Sequence, residues 1–172
     1  MTPAMQQYVL HWGEMGQRWG MNRTVAQAHA LLYLADEPLN AEQITHALGV
    51  ARSNVSGSLK ELQSWELVRL VHKAGDRRDY FAALQDPWDM LMTIVDGRKR
   101  REIDPTLAML GGAMAAAEAD AATPATVKAK IRGMYEFLTE LDGWYDQMRD
   151  LPRPVLRKLI SLGARITGMI TR

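Results

Sequence analysis

Apolar residues recur every three to four positions through most of the chain, and the breaks in that rhythm mark out its elements. Thr2-Pro3 opens a first helix, with a capping hydroxyl ahead of a proline at the first helical position. Its stripe runs through Tyr8, Trp12, Met15 and Trp19 and stops at Gly20 to Asn22. Thr24 and Gln27 have the spacing of a capping box and begin a second helix, with Val25, Ala28, Leu31, Leu32 and Ala35 inward. Asp36-Glu37-Pro38 ends it, because the residue before proline avoids helical dihedrals. Asn40 and Gln43 form another capping box, for a short helix from Ala41 to Leu48, and Leu39 and Ile44 stand where a hydrophobic staple places them. Gly49 supplies a left-handed turn. A further helix from about Arg52 to Ser64 then points Val55, Leu59 and Leu62 inward.

After this helix the period changes to two. Val68, Leu70 and His72 alternate with Arg69, Val71 and Lys73, Ala74-Gly75-Asp76 makes a turn, and Tyr80 to Ala83 returns as a second strand. Two helices joined by a glycine turn and followed by a hairpin have the pattern of a winged helix-turn-helix, spanning about Asn40 to Ala83. Beyond Pro87 the rhythm is helical again. One helix runs from Trp88 to about Ile103, ending or kinking at Asp104-Pro105. An alanine-rich stretch follows, broken near Gly111-Gly112 and again at Ala122-Thr123-Pro124. A long helix from about Pro124 to Met148 and a final helix, beyond Leu151-Pro152-Arg153-Pro154, complete the chain. The expected fold is mainly α with a small β-hairpin wing. Residues 1–86 hold the N-terminal helices and the winged helix-turn-helix, with its core at 24–84, and 87–172 form a helical region suited to dimerisation.

Composition narrows the chemistry. The formal net charge is only +1, so any footprint for nucleic acid must come from local patches. The absence of cysteine excludes disulfides, thiolate nucleophiles and cysteine metal sites, and fits a cytoplasmic setting. No signal-peptide pattern opens the chain, and no apolar run approaches the roughly 18 residues of a membrane span. The four histidines, His11, His29, His46 and His72, lack metal-ligand spacing. No phosphate-binding glycine loop or nucleophile elbow is present, so no cofactor, metal or catalytic residue is expected.

The polar positions fit double-stranded DNA. A helix that enters a major groove needs polar tips and small residues on its outer face. Arg52, Ser53, Asn54, Ser56, Gly57 and Lys60 supply these, and glycine in an exposed helix costs about 1 kcal/mol relative to alanine unless something must come close. Lys73, Arg77 and Arg78 surround the hairpin tip, where long cations can grip phosphates or enter a narrow minor groove. The plainer alternative there is a solvated turn with Asp76 and Asp79 as local partners.

The run MGQRWGMNRTVAQAHALLYLADEPLNAEQITHALGVARSNVSGSLKELQSWELVRLVHKAGDRRDYF resembles the GbsR branch of the MarR-type winged-helix regulators. The likeness covers about Met15 to Ile103 and rests on the Gly16/Gly20 spacing, Leu31-Leu32-Tyr33-Leu34, Asn54-Val55-Ser56 and Gly75-Asp76-Arg77-Arg78-Asp79-Tyr80. Ala51 departs from it, standing where a capping serine or threonine is common. The resemblance implies a homodimeric transcription regulator, usually a repressor, that binds operators through the helix at about 52–64 and the wing at about 68–83. Some members respond to small effectors such as choline.

Other features have competing readings. Trp12 and Trp19 are candidates for an aromatic cage around a quaternary ammonium effector, although an apolar helical stripe is more often core or interface. Arg98-Lys99-Arg100-Arg101 is either a flanking phosphate contact or a solvated face. The last helix sets Val155, Leu156, Leu159, Ile160, Leu162, Ile166, Met169 and Ile170 against Arg157, Lys158, Arg165 and Arg172. Such a basic amphipathic helix suits a second subunit or an anionic membrane. The alternatives to a DNA-binding regulator are thus a winged-helix protein-interaction module and a membrane-associated regulator.

Overall fold

The N-terminal unit is built on helix pairs that small residues allow to close up. Helix α1 (Pro3–Arg18) is capped by Thr2, whose hydroxyl accepts from the Met5 amide, and α2 (Arg23–Leu34) packs along it. A Cβ added at Gly16 would lie 2.4 Å from the Ala26 Cβ, so glycine at that position is what lets the two helices meet. The cap of α2 differs from the expected Thr24–Gln27 box. Asn22 caps it, accepting from the Thr24 amide at 2.8 Å, while the Gln27 side chain is buried against Gly13. An asparagine two residues before Thr24 offers the same oxygen one turn-step earlier, and the helix starts there.

Strand β1 (Leu39–Asn40) leads into α3 (Ala41–Leu48). The capping box is present in full, with the Asn40 and Gln43 side chains each accepting from the other's amide at 2.9 Å. Gly49 adopts φ 64° and turns the chain into α4 (Arg52–Ser64). The end of α4 closes in a Schellman arrangement: the Glu66 amide donates to the Gln63 carbonyl and the Leu67 amide to that of Leu62. Glu66 takes the left-handed position usually given to glycine, at φ 61°.

Strands β2 (Val68–His72) and β3 (Asp79–Ala83) form the hairpin, and β3 is central in the order β1-β3-β2. The register sets Leu39 and Leu70 on either side of Phe81. Val25, Leu31, Leu32, Ile44, Val55, Leu59, Leu62, Leu67, Val68 and Phe81 make one continuous core. The two-residue β1 was not expected; a strand that short leaves no periodicity to read.

The structure, a computed structural model, describes residues 1–163, and the expected helical residues Arg165, Ile166, Met169, Ile170 and Arg172 lie outside that range. The described chain divides into two compact units after Gly97, inside the helix that follows the hairpin. That helix is α5 (Pro87–Arg98), and Gly97 lies against the Trp65 ring. In the second unit a π-helical turn (Lys99–Ile103) leads into α6 (Asp104–Ala119). The Asp104 amide donates five residues back, to the Lys99 carbonyl, and this wider turn carries the helix into Pro105 without a break.

The break expected at Gly111-Gly112 does not occur. Alanines on both sides sustain the helix, and Gly111 lies under the Tyr135 ring of α7 (Ala125–Arg149). Helix α8 (Arg153–Leu162) follows after Pro152.

Candidate nucleic-acid interface

Helix α4 turns Val55, Ser58, Leu59 and Leu62 into the core and leaves Arg52, Ser53, Asn54, Ser56, Gly57 and Lys60 exposed. These six outward residues divide into two rows. Arg52, Ser56 and Lys60 line one side of an open groove of about 420 Å³, whose other side is Leu70, Arg78, Asp79 and Phe81 of the wing. Ser53, Asn54 and Gly57 face a second concavity of about 360 Å³, bordered by Asn22 and Thr24 at the start of α2. Helical spacing alone sets Ser53, Ser56 or Gly57, and Lys60 on one face, and the structure splits that face between the two grooves. No heavy atom lies within 4 Å of where a Cβ would stand on Gly57, so the backbone there is open to a partner.

Ala51 occupies the N-cap of α4 with no side-chain cap bond, which leaves the first-turn amides without a hydroxyl over them. Carboxylates also stand close by, with Glu42 in the first groove and Glu61 in the second. Mixed charge of this kind disfavours indiscriminate polyanion binding.

The wing departs from its simple pattern. Leu70 lies on the same strand face as buried Val68, yet it is 40% exposed, because the hairpin projects beyond the core and presents Leu70 to the groove. The three cations at its tip have different roles. Gly75, at φ 78°, forms the turn closed by the Asp76 amide on the Lys73 carbonyl. The Asp76 carboxylate accepts from the Arg78 amide and forks onto its guanidinium at 2.6–3.0 Å, and the Tyr80 hydroxyl donates to it at 2.7 Å. These bonds hold the Asp76 carboxyl well below the usual carboxylate range and raise the Arg78 guanidinium further above neutrality. Lys73 pairs with Glu37 at 3.0 Å and sits 4.6 Å from the Tyr80 ring centre. Arg77 is exposed and, among the described residues, has no ion-pair partner. Of the two nearby aspartates, then, Asp76 orients an arginine, whereas Asp79 faces the groove. The Asp76–Arg78–Tyr80 fork depends on a backbone turn that side-chain spacing alone does not define.

The other candidates fall elsewhere. Trp12 stacks on Tyr8 at 5.5 Å between ring centres, with Tyr33 on the far side of Tyr8, while Trp19 is 69% exposed at the helix end. No ring contact joins Trp12 to Trp19 among the described residues. In the basic run, Lys99 bridges Asp104 and Asp142 at 2.7 and 2.8 Å, and Arg98 pairs with Glu102. Those two cations are engaged within their own unit. His11, His46 and His72 are exposed, and His29 is buried. Among the described residues no cluster suited to a metal ion is found, and no helix is long and apolar enough to cross a membrane.

This geometry defines a winged-helix domain, with a helix-turn-helix whose second helix stands beside a hairpin. Residues 19–79 match the model of the MarR family. The fold is also similar to that of a crystal structure of a transcriptional regulator, at a TM-score of 0.71 and 18% identity, over 86% of this chain and 96% of that one. Weaker similarities, each at a TM-score of 0.40, link it to two further structures. One is transcriptional regulator Tm0710 from Thermotoga maritima, at 18% identity over 84% of this chain and 90% of that one. The other is an S. aureus MepR mutant bound to an oligodeoxyribonucleotide, at 16% identity over 80% and 90%. No curated protein matches the sequence.

Proposed function

We propose that this chain is a sequence-specific DNA-binding transcription regulator of the GbsR branch. In this reading it acts as a homodimer and a repressor, modulated by a small effector. The observation that carries the reading is the outer face of α4, where Arg52, Ser53, Asn54, Ser56, Gly57 and Lys60 are all exposed, with Arg52, Ser56 and Lys60 beside the wing. Two such helices would enter successive major grooves about one helical turn apart, with Arg77 and Arg78 reaching adjacent phosphates or the minor groove. Lys73 would brace the wing. Because the chain is nearly neutral and the α4 face carries both signs of charge, tight binding calls for two copies. An effector would act by binding unequally to two relative poses of the DNA-binding heads.

Gly57→Ala tests the reading. The added methyl meets nothing within 4 Å, so the variant gains about 1 kcal/mol in urea denaturation. If α4 lies in a groove, the same methyl lowers affinity for a selected duplex by roughly tenfold in fluorescence anisotropy. A stabilised variant with unchanged affinity would remove α4 from the interface.

A further inference from the structure

Helix α8 combines a single sign of charge with an apolar face that the chain leaves open. From Leu151 to Arg172 the sequence holds Arg153, Arg157, Lys158, Arg165 and Arg172, and not one aspartate or glutamate. The whole chain carries 21 basic and 20 acidic residues, so this imbalance belongs to the segment. Pro152 takes an extended conformation between α7 and α8, and Pro154 sits in the first turn, where a missing amide costs nothing.

The helix sorts its residues by side. At helical spacing Val155, Leu156, Leu159, Ile160 and Leu162 fall within about 160° of the circumference, and Arg153, Arg157, Lys158 and Ser161 occupy the remainder. No residue of α8 is buried. Leu156, Leu159 and Leu162 are partly covered, while Val155 is 43% and Ile160 is 68% exposed. Arg157 and Lys158 are exposed and have no ion-pair partner among the described residues.

Together the two faces select a partner. A second copy of the same helix would bring like charges together, with no carboxylate to offset them. Duplex DNA would take the cations yet leave Val155 and Ile160 in water. An anionic bilayer surface satisfies both faces at once. The apolar side chains enter the boundary between headgroups and acyl chains, and the cationic heads stay among the lipid phosphates. At 10 residues the described helix lies along such a surface and is too short to cross it.

We infer that α8 binds the surface of an anionic phospholipid bilayer, with Val155, Leu156, Leu159 and Ile160 in the lipid and Arg157 and Lys158 on its phosphates. This goes beyond the proposed reading and does not depend on it, because the residues concerned are not those of α4 or the wing.

The test is cosedimentation of the full chain, without DNA, with vesicles of phosphatidylcholine alone or mixed equally with phosphatidylglycerol. The unaltered protein is carried down by the mixed vesicles at physiological salt and stays in solution with phosphatidylcholine. Arg157→Gln with Lys158→Gln lowers its partition coefficient by roughly thirtyfold, since each cation near such a surface contributes about fivefold. Arg157→Lys with Lys158→Arg keeps the charge and the binding. Val155→Ser with Ile160→Ser also keeps the charge but lowers partitioning by roughly tenfold or more. An unaltered chain that ignores both vesicles overturns the inference; if the serine pair then also turns a dimer into monomers, the apolar face belongs to a second copy. Equal binding to both vesicles overturns it too, as does a serine variant that binds like the original, which would reduce the attraction to charge alone. Loss of vesicle binding in Arg77→Ala with Arg78→Ala, with α8 unaltered, would move the lipid contact to the wing and overturn it equally.

Discussion

Replacing Arg77 and Arg78 together by alanine should weaken binding to a selected duplex by roughly a hundredfold at physiological salt. It should also lower the slope of log K against log salt by about one to two. The two arginines contribute differently. Arg77 is exposed and has no ion-pair partner among the described residues, so in the proposed reading it would meet a phosphate without a preset direction. Arg78 is held by the Asp76 fork with Tyr80 behind it, and its direction is fixed before any partner arrives. Asp76→Ala separates charge from aim. Both cations remain, so the salt slope holds, while the preference for the selected duplex over a scrambled one falls. An unchanged affinity in the double variant would show that the wing does not touch DNA.

A second large effect is expected in stability against pH. His29 is 5% exposed on α2, its Nε2 has no hydrogen-bond partner, and burial holds its imidazole down at about 4, against 6.5 when free. The folded state therefore keeps His29 neutral, whereas the unfolded chain takes up a proton on passing below 6.5. Stability from this group is complete above pH 6.5 and declines as pH falls from 6.5 towards 4, by about 3 kcal/mol in all. His29→Leu fills a similar space without a titrating group. In urea denaturation its stability relative to the original chain should rise steadily as pH is lowered through that window. A difference that stays constant from pH 7 to 4.5 would show that His29 does not limit acid stability.

Much of the N-terminal unit was legible because its signals are local. The Asn40–Gln43 box, the left-handed Gly49 and the switch of period at Val68 each depend on a few neighbouring residues. Features decided by distant partners were less accessible. Strand β1 exists because β3 lies beside it, and α6 runs through Gly111 and Gly112 against α7. At the site, the outward residues of α4 followed from helical spacing, but their division into two rows depends on where the wing and the start of α2 lie. Similarly, Lys73, Arg77 and Arg78 read alike as cations at a tip. Glu37 and Asp76, one of them far away in sequence, make them unlike.

Selection of bound sites from random duplex DNA tests the central claim most directly. With α4 as the reading element of a two-fold dimer, the enriched sequences should form an inverted repeat, its half-sites centred about 10–10.5 base pairs apart or a multiple of that. Binding should also fall linearly in log–log terms as salt rises. A pool that shows no enrichment, with no salt-dependent retention by the protein, would contradict the account.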